Sequence, residues 1–397
     1  MIYLLFFFAL FMICTFLTHR RQALYVVSAL VFLFLALTYP SGGDWIGYFL
    51  HYDCMVNEQC NNGFIMFEPG YELIVSLFGY LGFQTIIIFI AAVNVILILN
   101  FAKHFENGSF VIVAIMCMFL WSVYVEAIRQ ALALSIVIFG IHSLFLGRKR
   151  KFITLVLFAS TFHITALICF LLMTPLFSKK LSKIISYSLL IFSSFFFAFS
   201  ETILSALLAI LPEGSIASEK LSFYLATEQY RPQLSIGSGT ILDIILIFLI
   251  CVSFKRIKKY MLANYNAANE ILLIGCCLYI SFGIFIGKMM PVMTRIGWYG
   301  FPFVIVLLYI NLGYSEYFKR YINKRGCGYS KLLIAFYFLL QILRPLTYDY
   351  SYYYYNIMHQ DTLLNRFDAL DDASLRQSAK RKCFDLGKIG YGFLCSI

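Results

Sequence analysis

The run QTIIIFIAAVNVILILNF, residues 84–101, is eighteen residues long and carries no charge. As an α-helix rising 1.5 Å per residue it reaches ~27 Å, close to the ~30 Å hydrocarbon core of a bilayer. Two further stretches, 22–38 and 238–254, are nearly as long and as apolar. The whole chain is 61% hydrophobic and 13% charged, whereas soluble domains are about 45–50% apolar and about 25% charged. So much apolar surface has no soluble solution. Outer-membrane barrels are excluded, because their strands alternate apolar and polar residues instead of running continuously apolar. The chain therefore reads as an all-α, polytopic integral membrane protein.

A formal net charge of +11 raises the question of nucleic acid, but the placement of the basic residues answers it. They fall in short clusters between apolar stretches: His19 to Arg21, Arg148 to Lys151, Lys179, Lys180 and Lys183, Lys255 to Lys259, and Lys319 to Lys331. That is the positive-inside signature of membrane topology, not a nucleic-acid surface. Placing each cluster in the cytoplasm predicts spans at 3–18, 22–38, 84–102, 109–124, 126–146, 184–210, 238–254, 270–287, 296–314 and 331–347. The first run lacks a basic leader and reads as a retained span. In all, about 10–11 transmembrane helices are expected in a membrane domain of residues 1–360, with external loops at 39–70 and 211–237 and a tail at 361–397 of mixed charge. Trp45, Trp121 and Trp298 fall at external span ends, as an interfacial aromatic belt would place them.

Simple alternation fails once. If 152–177 crossed as one span, the Lys179–Lys183 cluster would lie outside. The stretch KFITLVLFASTFHITALICFLLMTPLF, residues 151–177, has Ala-Ser-Thr-Phe-His at its middle. Two short helices meeting at Ser160–His163 would make a re-entrant hairpin that restores the rule, with non-helical backbone held in protein or at a wet cavity. Its rival is an ordinary span with a local exception.

The polar insert TYPSGGDWIGYFLHYD, residues 38–53, opens the first external loop, which carries Asp44, Asp53, Glu58 and Glu68 and no Lys or Arg. Charges within or beside spans cost several kcal/mol by insertion scales, so each needs a partner or a task. Glu126 and Arg129 in VEAIRQALALS stand three apart and alone read as an intrahelical salt bridge. His163 alone reads as a core histidine. Lys288, able to snorkel, and Arg295 flank the break KMMPVMTRIGWYG, and Arg344 precedes Pro345. Taken together, Arg129, Arg295 and Arg344 project to the external half of the membrane, on the side of the acidic insert. Arginines converging on one cavity favour a phosphate or diphosphate, through bidentate charge-assisted hydrogen bonds. No Walker, GxSxG, HExxH or CxxC motif is present. No DxD-type metal cluster accompanies the arginines, so metal-free chemistry without a cofactor is expected. Cys54 and Cys60 suit a disulfide in an oxidising compartment, or two free thiols. Asp53 reads as a solvated loop residue.

The order of motifs resembles a known family. Asp44-x-x-x-Tyr48 is followed by Glu-Pro-Gly-Tyr-Glu (Glu68–Glu72), Arg-Gln-Ala-Leu-Ala (Arg129–Ala133), Phe-His-Ile-Thr-Ala-Leu (Phe162–Leu167) and Arg295-x-x-x-Tyr299. This resembles the EpsG-type branch of the Wzy polysaccharide polymerases across roughly residues 40–300. The resemblance implies a bacterial inner-membrane glycosyltransferase acting at the outer face. It would pass a growing O-antigen or capsule glycan from undecaprenyl diphosphate to the non-reducing end of a new lipid-linked repeat unit. The implied catalytic residues are Asp44, Glu68, Arg129, His163 and Arg295. Tyr48, Tyr71, Glu126, Gln130, Tyr299 and Arg344 are implied for substrate binding. The implied partners are the undecaprenyl-diphosphate-linked oligosaccharide, the lipid bilayer, and a chain-length regulator and flippase of the same pathway; nucleic acid is not among them. A flippase for the same lipid-linked unit, or an O-antigen ligase, would use similar residues.

Overall fold

The computed structural model describes residues 2–388 except 18–19, 39–40, 42–43, 59–66, 213, 227–236, 260–266, 313–327, 348–355, 359, 361 and 364–370. The Gly42-Gly43 bend, Cys60 and most of the Lys319-to-Lys331 cluster therefore lie outside the described residues. What is described is helical. Seven helices among these residues are long and apolar enough to cross a membrane by length and composition, and Ile2–Phe16 and Ile164–Leu176 are shorter apolar helices.

The chain divides into two compact units. The first comprises Met1–Phe139, Leu157–Ile164 and Ala335–Ile397; the second comprises Gly140–Val156 and Thr165–Ile334.

In the first unit, α1 (Ile2–Phe16), α2 (Arg20–Leu37), α5 (Phe83–Ala102) and α6 (Gly108–Phe119) form the apolar body, with α2 packed against the other three. Phe6 meets Phe34 with ring centroids 4.4 Å apart, tying α1 to α2. The polar insert is not an open loop. It holds α3 (Asp44–Asn57), and α4 (Pro69–Phe78) follows it. Pro69 sits at the first helical position of α4, where its missing N–H costs nothing.

The expected spans at 109–124 and 126–146 correspond to helices Gly108–Val125 and Ile128–Phe145. The first loosens into a π-helix over Leu120–Val125 and ends at Glu126; α7 (Ile128–Phe145) then begins. Glu126 and Arg129 thus stand on either side of a break, not on one helix. Trp121 Nε1 donates to Glu126 Oε1 at 3.2 Å, which answers that carboxylate inside the protein. All three tryptophan side chains are buried, Trp45 and Trp121 4% and Trp298 8% exposed, rather than turned toward a lipid interface.

At 152–177 the chain forms two short helices, α8 (Lys149–Ser160) and a 3-10 helix over Ile164–Leu176, separated by a turn at Thr161–His163. The interruption falls where Ala-Ser-Thr-Phe-His predicted it.

In the second unit, α9 (Lys179–Ile210) packs along α12 (Ala268–Leu278) and the π-helix Tyr279–Ile286 that continues it. Only 22% of the most apolar window of α9 is buried, so a long apolar face is left for lipid. α10 (Ile216–Ala226) lies against α9. α13 (Phe301–Asn311) is buried on every side, the mark of a central core helix, and both α11 (Ser238–Lys259) and α12 pack on it. The expected break at 288–300 is present as short turns over Pro291–Met293, Thr294–Gly297 and Trp298–Gly300. Glycine is required there: a Cβ on Gly297 would strike the backbone of Gly283. Lys288 does not snorkel; its Nζ lies 3.0 Å from Asp243 Oδ2 and 2.9 Å from Thr240 Oγ1.

α14 (Gly328–Leu343) ends at a 3-10 turn, Arg344–Thr347, as the Arg-Pro pair suggested. Beyond it, α15 (Asp372–Lys388) belongs to the first unit. Its Arg376 forks onto Asp53, which is 3% exposed. Asp53 is thus not a solvated loop residue: it lies in a helix, its charge balanced from a segment more than 300 residues away.

Candidate functional site

Three segments of the first unit meet at the head of α7. α3 presents Tyr48 and His51, one turn apart. The start of α4 supplies Phe67, Glu68 and Tyr71. The first turn of α7 supplies Arg129.

Arg129 Nη1 donates to Glu68 Oε2 in an ion pair whose side chains are 16% and 21% exposed. Its guanidinium lies over two rings, 3.9 Å from the centroid of Phe67 and 5.4 Å from that of Tyr48. Tyr48 is also a hydrogen-bond partner of Arg129. The rings close on one another: Tyr48 and Tyr71 are 5.5 Å apart, His51 and Phe67 4.7 Å, and Phe67 and Tyr71 5.5 Å. Cation–π contacts of this kind contribute ~0.5–2 kcal/mol each and hold the guanidinium plane as well as its charge.

The head of α4 is fixed from the side. Gly70 N–H donates to Thr161 O at 2.8 Å. A Cβ at Gly70 would lie 2.8 Å from that same oxygen and 2.9 Å from Phe162 Cδ1, so only glycine lets the two backbones approach. Glu-Pro-Gly-Tyr-Glu and Phe-His-Ile-Thr-Ala-Leu, 90 residues apart, are therefore neighbours.

Two donors within this cluster have no hydrogen-bond partner among the described residues: the Tyr71 hydroxyl and Arg129 Nε, both buried. Burial raises the Tyr71 pKa, so the hydroxyl stays protonated and able to donate. Such donors are expensive to bury unless something accepts from them.

Of the residues singled out from the sequence, the fold thus gathers Tyr48, Glu68, Tyr71 and Arg129. Asp44 opens α3 one turn before Tyr48 and is half-buried. His163 is half-buried in the turn that follows Thr161 and Phe162. Gln130 is buried beside Arg129 in the chain, 1% exposed. Glu126 turns to Trp121. Arg344 is half-buried in its 3-10 turn. Arg295 and Tyr299 belong to the second unit, where Tyr299 is fully buried and its hydroxyl accepts from Thr165 Oγ1 at 3.4 Å. His51 and Phe67 were missed. Their signals were present: His51 is one helical turn beyond Tyr48, and Phe67 directly precedes Glu68.

Long apolar helices around a partly buried cluster of arginine, carboxylate and aromatic rings define a multi-pass membrane protein with a polar cluster at the head of one span. The chain belongs to the EpsG family, whose model matches residues 21–357. It is thereby linked to exopolysaccharide synthesis. No curated protein and no solved structure matches it.

Proposed function

We propose that the protein is a Wzy-type polymerase. It would transfer a growing glycan from undecaprenyl diphosphate to the non-reducing end of a new lipid-linked repeat unit. The observation that carries this reading is Arg129, held over the Phe67 ring and paired with Glu68 while its Nε–H, like the Tyr71 hydroxyl beside it, has no partner among the described residues. Those are donors suited to the oxygens of a diphosphate or sugar.

In the reaction, a sugar hydroxyl of the acceptor attacks the anomeric carbon of the donor. The bond from that carbon to the lipid diphosphate breaks, and the hydroxyl proton leaves to a base. Arg129 stabilises the charge that develops on the leaving diphosphate, the kind of preorganised electrostatic term that contributes ~3–4 kcal/mol in other enzymes. Glu68, engaged with Arg129, acts mainly by orienting it. Asp44 and His163 are the candidates for receiving the proton. Arg344, Gln130 and Glu126 are proposed to bind the rest of the substrate.

Cys54 and Cys383 are both disulfide-bonded. Disulfides persist in oxidising compartments, which supports placing α3 and α15 at the outer face of a bacterial inner membrane. There a flippase would deliver the lipid-linked unit and a chain-length regulator would act on the product.

The test is the surface polysaccharide of a deletion strain. Loss of a polymerase leaves single repeat units attached to their acceptor. Loss of every repeat would instead indicate a flippase or a ligase and overturn the proposal.

A further inference from the structure

Residues 360–388 lie beyond the segment matched by the family model, 21–357, yet they fasten the polar insert at both of its ends. At the α2 end, Leu363 N–H donates to Leu37 O at 2.8 Å, and Thr38 and Thr362 form an antiparallel bridge. Gln360 Nε2 donates to Thr38 Oγ1 at 3.1 Å. At the far end of α3, Arg376 donates from Nε to Asp53 Oδ2 at 2.7 Å and from Nη2 to Oδ1 at 2.5 Å. Asn57 Nδ2 donates to both Asp53 Oδ1 and Asp372 Oδ2, each at 2.7 Å. The Tyr52 hydroxyl donates to Asp372 Oδ2 at 3.2 Å. Asp53, Tyr52 and Leu375 are 3%, 2% and 1% exposed, so the α3 side of this seam is buried, while the Arg376 side chain remains 39% exposed.

Between the two fastenings lie Asp44, Tyr48 and His51. A helix of 14 residues has little stability of its own. Its placement must come from tertiary contacts. A bidentate Arg–carboxylate pair sets direction as well as energy. We propose that the C-terminal segment is a clasp that sets the position of α3, with Asp53 and Arg376 as positioning residues for the site that α3 walls. The functional half of this inference rests on the polymerase reading above.

The experiment uses the full chain in lipid nanodiscs, comparing wild type with Arg376→Ala, Asp53→Asn and the reversed pair Asp53→Arg with Arg376→Asp. Hydrogen exchange of the α3 peptides reads the clasp without reference to activity. Both single variants should exchange about tenfold faster over α3, the scale of a lost charge-assisted pair, and the reversed pair should return toward wild type. With lipid-linked repeat units as substrate, the single variants should raise KM about tenfold and leave kcat within about twofold. Unchanged exchange over α3 would overturn the clasp. Faster exchange with unchanged KM would reduce the segment to a structural tether and overturn its positioning role. A wild-type chain that makes no polymer would count against the polymerase reading, while the exchange measurement still decides whether the clasp exists.

Discussion

Arg129 is held by three neighbours: Glu68 through an ion pair, and Phe67 and Tyr48 through rings on which the guanidinium lies. Lysine supplies the charge but not the plane. Arg129→Lys should therefore lower polymer formation by ~100-fold or more at normal protein level, checked by gel profile against an immunoblot of the membrane fraction. Tyr71→Phe separates ligand contact from folding. Its hydroxyl is buried without a partner among the described residues, so its removal should change thermal stability by no more than about 0.5 kcal/mol, or raise it slightly. A drop in polymer at unchanged melting temperature would assign the hydroxyl to the substrate; unchanged polymer would remove it from the site. Gly70→Ala should act oppositely. Its Cβ meets a backbone oxygen that cannot turn away, so a loss of ~1–3 kcal/mol in stability is expected, read by thermal unfolding in detergent.

Among the elements, the helices that precede two of the three arginines singled out from the sequence widen into π-helix before the chain breaks, over Leu120–Val125 ahead of Arg129 and over Tyr279–Ile286 ahead of Arg295. Such stretches are frequent at functional sites. Apolar composition does not distinguish π from α, so neither could be read from sequence. The break at Thr161–His163 was legible, because the charge rule failed without it and small polar residues marked the place. The seam between α3 and α15 was not. Asp53 carries no sign of its partner, since Arg376 is one of six basic residues in a mixed-charge tail. That seam also carries a pH dependence. Burial pushes the Asp53 carboxyl up, but Arg376 and Asn57 outweigh it and hold the pKa below the usual carboxylate value. A lowered folded-state pKa contributes stability above the unfolded value, and that contribution is lost as pH falls through the folded one. Wild type should thus be more stable than Asp53→Asn at pH 7, and the gap should close below about pH 4, measured as melting temperature against pH.

For the whole molecule, composition was enough to establish a polytopic helical membrane protein, because 61% hydrophobic residues leave no other packing. Seven of the ten spans expected from charge placement coincide with helices long and apolar enough to cross a membrane among the described residues. The site was legible only in part. Short motifs named Tyr48, Glu68, Tyr71 and Arg129, and the fold joined them. His51 and Phe67 belong to none of those motifs, and only their places one turn beyond Tyr48 and directly before Glu68 pointed to them. The proposed polymerase elongates a lipid-linked glycan with no other protein. The most direct measurement supplies purified full-length protein in nanodiscs with undecaprenyl-diphosphate-linked repeat units and no other protein. It predicts a ladder spaced by one repeat unit, with one undecaprenyl diphosphate released for each unit added. Repeat units that stay unjoined while wild-type protein is folded and lipid-embedded would contradict it.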